Sequence, residues 1–181
     1  MKVVSNSSVL IGLAMISRFE LLKELYEAIS IPEAVYQEIA LEGKNRFGCN
    51  ETQRAVEDGW IKRRKAKDSI AVLSLLEHLH RGEAEAIVLA KEFSSNLILL
   101  DDPKARATAS HMGLERIGTI GILQLVLKQG ILKDIKEDID NLIEKGFRIS
   151  NGLYEKILSK KKESGNKMLN EKLISERLLI S

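Results

Sequence analysis

Four polar insertions interrupt otherwise apolar stretches of this chain, and three of the four carry carboxylates. They are "VVSNSS" at residues 3–8, Glu38 in "PEAVYQEIA", Glu83 and Glu85 in "GEAEAIVLA", and the pair Asp101 and Asp102 closing "LILLDD". An unpaired ionised group in a run that should be buried is expensive. Clustered carboxylates also repel, by about 4 kcal/mol for two unit charges about 4 Å apart at an effective dielectric of about 20. A hard divalent cation offsets both costs, because Mg2+ and Mn2+ take oxygen ligands. The same ion makes water nucleophilic and balances charge on a phosphodiester during hydrolysis. The chemistry these residues suggest is metal-assisted phosphodiester cleavage, at the carboxyl ends of parallel strands.

The insertions differ in how clearly they speak. Asp101 and Asp102 end a continuous aliphatic run, so at least one belongs at the carboxyl edge of a buried strand. One of the two is expected to cap the helix begun by Pro103, leaving the other as a ligand. Glu83 and Glu85 are two apart, roughly 200° around a helix, and cannot share a face. Glu85, embedded among Ala84, Ala86, Ile87 and Leu89, is the better inward candidate. Glu83 is its rival, explained equally as a first-turn acid favoured by the helix dipole. Glu38 has Val35 and Ile39 on its side of a helix; alone it would read as solvated, and only its company raises it. Asn6 stands where a strand-end ligand belongs but offers a neutral amide oxygen, and asparagine also caps helices and tolerates tight turns. Ser8 is either an ordinary helix-start residue or a hydroxyl reaching a bound water or a phosphate.

Basic residues give the weaker signals. Arg106, four residues beyond Asp102, either pairs with it or binds phosphate. "KRRKAK" at 62–67, which includes Arg63 and Arg64 and lies beside Trp60, is a candidate contact for an RNA backbone; a solvated strand end explains it equally well. His78 and His80 lie on opposite helix faces and His111 stands alone, without the spacing of a metal pair.

The elements that must position these residues follow from periodicity and punctuation. Strands are expected at 1–5, in "ISIP", at 60–64, in "NLILLDD" and in "LERIGT". Helices are expected after Ser7 or Ser8 (either of which can cap), at 18–28, 32–41, 51–58, 69–79, 81–93, 104–112, 120–129 behind Thr119, 133–145 and 150–162. This alternation predicts a three-layer α/β/α sandwich around a mostly parallel sheet. The helix at 120–129 is apolar on more than one face, which suggests self-association. Residues 159–181 form a lysine-rich tail with a weak apolar repeat.

Composition sets the frame. The chain has 181 residues, 44% of them hydrophobic and 4% aromatic, enough for one domain with an aliphatic core. A net charge of +2 does not by itself announce a nucleic-acid binder, so local clusters carry that argument. The single cysteine, Cys49, rules out an intramolecular disulfide and any multi-cysteine zinc site. No apolar stretch reaches the roughly 20 residues of a membrane span, and the start lacks a signal-peptide pattern, so a cytoplasmic location is expected.

Taken in order, "VVSNSSVLIGLAMISRFELL", "IPEAVYQEI", "GEAEAIVLA", "LILLDDPKARATASHMGL", "IGTIGILQLVLKQGIL" and "LIEKGFRIS" resemble the PIN-domain superfamily of metal-dependent ribonucleases, which includes VapC-type toxins. The resemblance is closest to the DUF3368 family and covers residues 1–158. It implies a PIN fold whose acidic site binds Mg2+ or Mn2+ and cleaves RNA. Position by position, it places the first acid on Asn6, the second on Glu38, the third on Glu85 with Glu83 as rival, and the fourth on Asp101 and Asp102. Ser8 matches the small hydroxyl residue after the first acid. The superfamily normally has aspartate where this chain has Asn6. The resemblance further implies a homodimer and the toxin half of a toxin–antitoxin pair, with RNA and an antitoxin protein as partners. The competing reading is a catalytically weakened PIN-like domain that binds RNA or protein without turnover. A receiver domain is a third, but it wants an acid pair after the first strand and a lysine after the last, and neither stands out.

Overall fold

The computed structural model describes residues 1–43, 45–149, 152 and 154. By internal contacts the chain divides into two units, residues 1–142 and 143–181. The sheet and all the candidate residues belong to the first. Of the second, Gly152 and Tyr154 are helical; the rest of the helix expected at 150–162, and the tail, lie outside the described residues.

The elements run β1 (Val3–Ser5), α1 (Ser7–Met15), α2 (Leu21–Tyr26), β2 (Ile29–Pro32), α3 (Glu33–Tyr36) continuing into a π-helical turn (Gln37–Leu41), α4 (Cys49–Glu57), β3 (Ile61–Arg64), α5 (Ser69–Leu75), α6 (Arg81–Glu92), β4 (Leu97–Leu99), α7 (Pro103–His111), β5 (Arg116–Ile117), α8 (Thr119–Lys128) and α9 (Lys136–Glu144). Each strand expected from the sequence is present, most of them trimmed at the ends.

The strands form one sheet in the order β3-β2-β1-β4-β5. Every pairing is parallel, where the sequence suggested mostly parallel. This is the α/β layering expected of a PIN-like fold. The chain moves outward from β1 through β2 to β3, then returns to the other side of β1 for β4 and β5. The order therefore reverses between β1 and β4, and the crevice beyond their carboxyl ends is where open parallel sheets bind ligands. Asn6 follows β1 and Asp101 follows Leu100 just beyond β4, so they flank that crevice; the Asn6 amide donates to the Leu99 carbonyl at 3.2 Å.

Burial explains the layers. Val4, Ile98 and Leu100 share one core with residues of α5, α6 and α7. Of these helices, α6 is buried from Ala84 to Ala90, and its alanines let it lie close to the sheet. Helix α1 is apolar all round and buries Val9, Leu10, Leu13 and Ala14, as a helix inside a core should. Aromatic packing is sparse: Phe19 meets Trp60 edge to face at 5.7 Å. Helix α8 buries Ile120, Ile122, Leu123 and Val126 within the chain, so its several apolar faces are largely accounted for here, with Leu127 still 38% exposed. Among the described residues, no helix is long and apolar enough to cross a membrane.

Candidate active site

The site begins with a departure from regular helix. Residues 37–41 make a π turn, in which the Glu42 amide donates to the Gln37 carbonyl at 2.9 Å. Single π turns within α-helices are rare and cluster at functional sites. This one carries Glu38. Its Oε2 accepts from the Ser7 hydroxyl at 2.8 Å, which ties the π turn to the start of α1.

Gly82 closes the gap from the other side. A Cβ on Gly82 would lie 3.0 Å from Glu38 Oε2 and 3.3 Å from Val35 Cγ2, so the absence of a side chain lets the start of α6 sit against both. Glu83 follows at once. Its Oε2 accepts from the His80 amide at 3.0 Å, one half of a capping box, which bears out its reading as a first-turn acid. Burial pushes its carboxyl up from the ordinary value; the charges of Asp102 and Glu38 push in the same direction, against the His80 amide and ring. Glu83 therefore lies in the field of two other candidate acids.

Glu85 is differently placed. One oxygen accepts from the Ala34 amide at 3.2 Å, in the first turn of α3, and the other pairs with Arg81 at 2.9 Å. Buried as expected, it serves as an acceptor for α3, and both oxygens are committed. Two faces of α6 thus hold two acids with different duties, as their spacing required.

Asp101 and Asp102 also divide. Asp102 caps α7 through the Ala105 amide at 2.9 Å, with Pro103 at the first helical position. That is the cap expected of one of the pair. The other does not remain free: Asp101 accepts from the Thr119 amide at 2.8 Å and from the Thr119 hydroxyl at 2.6 Å. It acts as a long-range cap for α8, whose own cap position is Gly118. A Cβ on Gly118 would fall 2.5 Å from Asp101 Oδ1. Burial pushes the Asp101 carboxyl up, while the Thr119 donors and the Arg106 charge pull it down. Arg106 donates to the Leu100 carbonyl at 2.9 Å and acts on Asp101; it makes no ion pair with Asp102, which was one of the two readings the sequence offered for it.

Asn6 is buried, and its amide oxygen does not cap α1 although it occupies the cap position. It accepts instead from the Ser8 hydroxyl at 2.9 Å, whose oxygen also lies 3.4 Å from the Asp101 amide. Ser8 thereby links the ends of β1 and β4. Ser7, which links Glu38, and Thr119, which holds Asp101, are the partners that sequence reasoning missed; adjacency to a strand end was the only signal available for either.

The remaining basic candidates are engaged elsewhere. Arg63 makes a two-pronged contact with Glu33 (2.6 Å at the shortest) and lies over the Tyr36 ring at 4.1 Å. Arg64 donates to the Ser30 hydroxyl at 3.0 Å and lies over Phe93 at 4.3 Å.

Glu38, Glu83 and Asp102 each use a single oxygen in these contacts. Each therefore keeps a second carboxylate oxygen, the kind of donor a hard divalent cation takes. Among the described residues, no three of His, Cys, Asp and Glu converge closely enough to enclose an ion. An ion at this edge would therefore have to keep waters at most of its positions, as Mg2+ usually does.

A parallel sheet with this strand order, with Asn6 after β1 and carboxylates after β4, at the start of α6 and on a π turn, defines a PIN-type domain, of the nuclease-type superfamily. The chain belongs to the DUF3368 family, described as a PIN domain, whose family model matches residues 2–163. PIN domains generally depend on divalent metal ions. Among solved structures, a PilT N-terminus domain protein from the hyperthermophilic archaeon Sulfolobus solfataricus P2 is similar at 20% identity with a TM-score of 0.50, over 70% of this chain and 94% of that one. A Pyrobaculum aerophilum protein aligns at 15% identity and TM-score 0.49, over 73% of this chain and 100% of that one. At these identities the likeness concerns the fold alone. No curated protein matches the chain.

Proposed function

We propose that this chain is a Mg2+- or Mn2+-dependent endoribonuclease, with Glu38, Glu83 and Asp102 as the acids of the metal site, reaching the ion directly or through its waters, and Asn6 as a neutral member. The observation that carries the reading is Glu38, placed by the π turn, held by Ser7 and packed against Gly82 next to Glu83 at the start of α6. When bound, the ion would supply an acidified water and compensation for the phosphate charge. The protein's share is positional. Ser7 orients Glu38, the capping box orients Glu83, and Ser8 holds Asn6 against the β4 end. Glu85, the better of its pair on sequence, and Asp101, which the sequence left level with Asp102, become positioning residues: Asp101 fixes the start of α8, and Glu85 fixes the start of α3.

The biological setting belongs to the same proposal: cytoplasmic, the toxin half of a toxin–antitoxin pair, with RNA as substrate, an antitoxin as protein partner and a second copy as dimer mate. A second reading, RNA or protein binding without turnover, is favoured by the neutral Asn6 and by the lack of three enclosing acids among the described residues. Calorimetry with Mn2+ beside cleavage of single-stranded RNA separates them. The first reading expects saturable Mn2+ binding and metal-dependent cleavage, both lost in Glu38→Gln and Glu83→Gln. RNA binding without cleavage at saturating Mn2+ would establish the second.

A further inference from the structure

At the opposite edge of the sheet, where β1 and β2 begin, lies an open pocket of about 130 Å³ that the acidic site does not use. Its lining includes Lys2, Ser30, Lys62, Arg64 and Phe93. Lys62 and Ser30 are paired across β3 and β2, and Arg64 lies two residues on, so all three side chains share one face of the sheet. Lys2 lies over the Phe93 ring at 4.7 Å and donates to the Phe93 carbonyl at 3.1 Å. Arg64 lies over the same ring at 4.3 Å. One phenyl ring thus gathers two cations, and a third stands beside them.

No ion pair among the described residues neutralises Lys2, Lys62 or Arg64. The neighbouring acid, Glu92, accepts from the Lys67 and Asp68 amides. Ser30 is 4% exposed and accepts from Arg64 Nε, which leaves its own proton to donate. The Arg64 Nη groups have no protein acceptor among the described residues. Three cations and a buried hydroxyl therefore line a concave space with no carboxylate among its lining residues.

We propose that this pocket binds a phosphate group. A phosphate offers several acceptor oxygens and up to two negative charges, and arginine beside a hydroxyl is a donor pair suited to it. The phosphate belongs either to an RNA strand or to a free nucleotide. From Lys2 to Asn6 the chain spans four residues of extended backbone, roughly 13 Å, so the pocket is separate from the acidic site. It stands whether or not that site cleaves RNA.

The test uses the full chain in excess chelator, so that no metal-held phosphate at the acidic edge contributes. Inorganic phosphate and AMP are titrated by calorimetry, and a short labelled single-stranded RNA by fluorescence anisotropy. Saturable binding is expected for at least one probe. Lys62→Gln and Arg64→Gln should each weaken it about tenfold, with Arg64→Lys intermediate. The salt dependence of RNA affinity should lose about one unit of slope in Lys62→Gln. Tight binding of AMP and phosphate marks a nucleotide as the source; RNA binding with weak AMP marks a strand. Lys62 is exposed, and unchanged thermal melting of Lys62→Gln separates lost binding from lost folding. No saturable binding of any probe, or wild-type affinity in both Gln variants, would overturn the proposal. Cleavage lost in Glu83→Gln with phosphate binding intact would show that the two sites are independent.

Discussion

Asn6 offers an amide oxygen where an aspartate would offer a charge, and the Ser8 hydroxyl already holds that oxygen at 2.9 Å. Replacing it with a carboxylate should strengthen attraction to a dication, so Asn6→Asp is expected to tighten Mn2+ binding by about tenfold or more, read by calorimetry. Equal affinity in the two proteins would place Asn6 outside the metal site. The two α6 acids make a sharper contrast. Glu83→Gln should abolish Mn2+ binding while leaving the fold nearly as stable. Glu85→Ala should preserve the binding chemistry but cost about 1–3 kcal/mol, because the buried Ala34 amide loses its acceptor. Little of that cost comes from the pair with Arg81, which is largely exposed. Urea midpoints beside calorimetry separate the two effects; loss of Mn2+ binding in Glu85→Ala but not in Glu83→Gln would reverse the assignment. Titration offers an independent check. The Glu83 carboxyl is raised in the folded protein, so its contribution to metal-free stability is full below the unfolded value near 4 and fades as pH rises through the folded value. Glu83→Gln has no such titration. Its stability relative to wild type should therefore increase from about pH 4 to pH 7 in chelator, and a constant difference across that window would contradict the burial of Glu83.

Helix starts and one irregular turn place these side chains. Gly82 and Gly118 both have backbone open to any residue, and each is glycine because a carboxylate occupies the place of its Cβ. The consequences of alanine differ. At Gly82 the nearest atom is Glu38 Oε2, the far end of a flexible side chain held by the Ser7 hydroxyl, so Gly82→Ala should displace it and weaken Mn2+ binding with little loss of stability. At Gly118 the added Cβ meets Asp101 Oδ1 at 2.5 Å and the Leu100 carbonyl at 3.0 Å. Asp101 is pinned by Thr119 and the carbonyl belongs to the sheet, so Gly118→Ala should cost about 1–3 kcal/mol. Urea denaturation of both variants checks the contrast, and equal midpoints would show that Asp101 moves as readily as Glu38.

Across the whole molecule, metal binding and folding are linked. The raised Glu83 carboxyl reflects a desolvation and charge-repulsion cost in the folded chain at neutral pH. A cation bound only by the folded state relieves that cost, and at about 100 times Kd it adds about 2.7 kcal/mol. Thermal melting should therefore rise with Mn2+ in wild type and stay level in Glu38→Gln and Glu83→Gln. A rise of equal size in all three would place the ion elsewhere.

The sequence by itself determined the layer architecture, the parallel sheet and the strand ends that border the crevice. Those features come from local periodicity and from apolar runs such as "LILLDD", which few other arrangements can bury. It also determined that Glu83 and Glu85 face apart, because two residues of helix turn through roughly 200°. The tertiary structure alone decided which of them meets Glu38 and Asp102. Apolar neighbours rightly marked Glu85 as buried, but burial does not distinguish an acid that accepts a backbone amide from one that shares a field with other acids. The same holds for Asp101, committed to Thr119 eighteen residues away, and for Glu38, aimed by a π turn that no periodicity announces. Local pattern sets which elements form and which residues enter the interior; the partner each buried carboxylate finds is a long-range contact, set only when the elements pack.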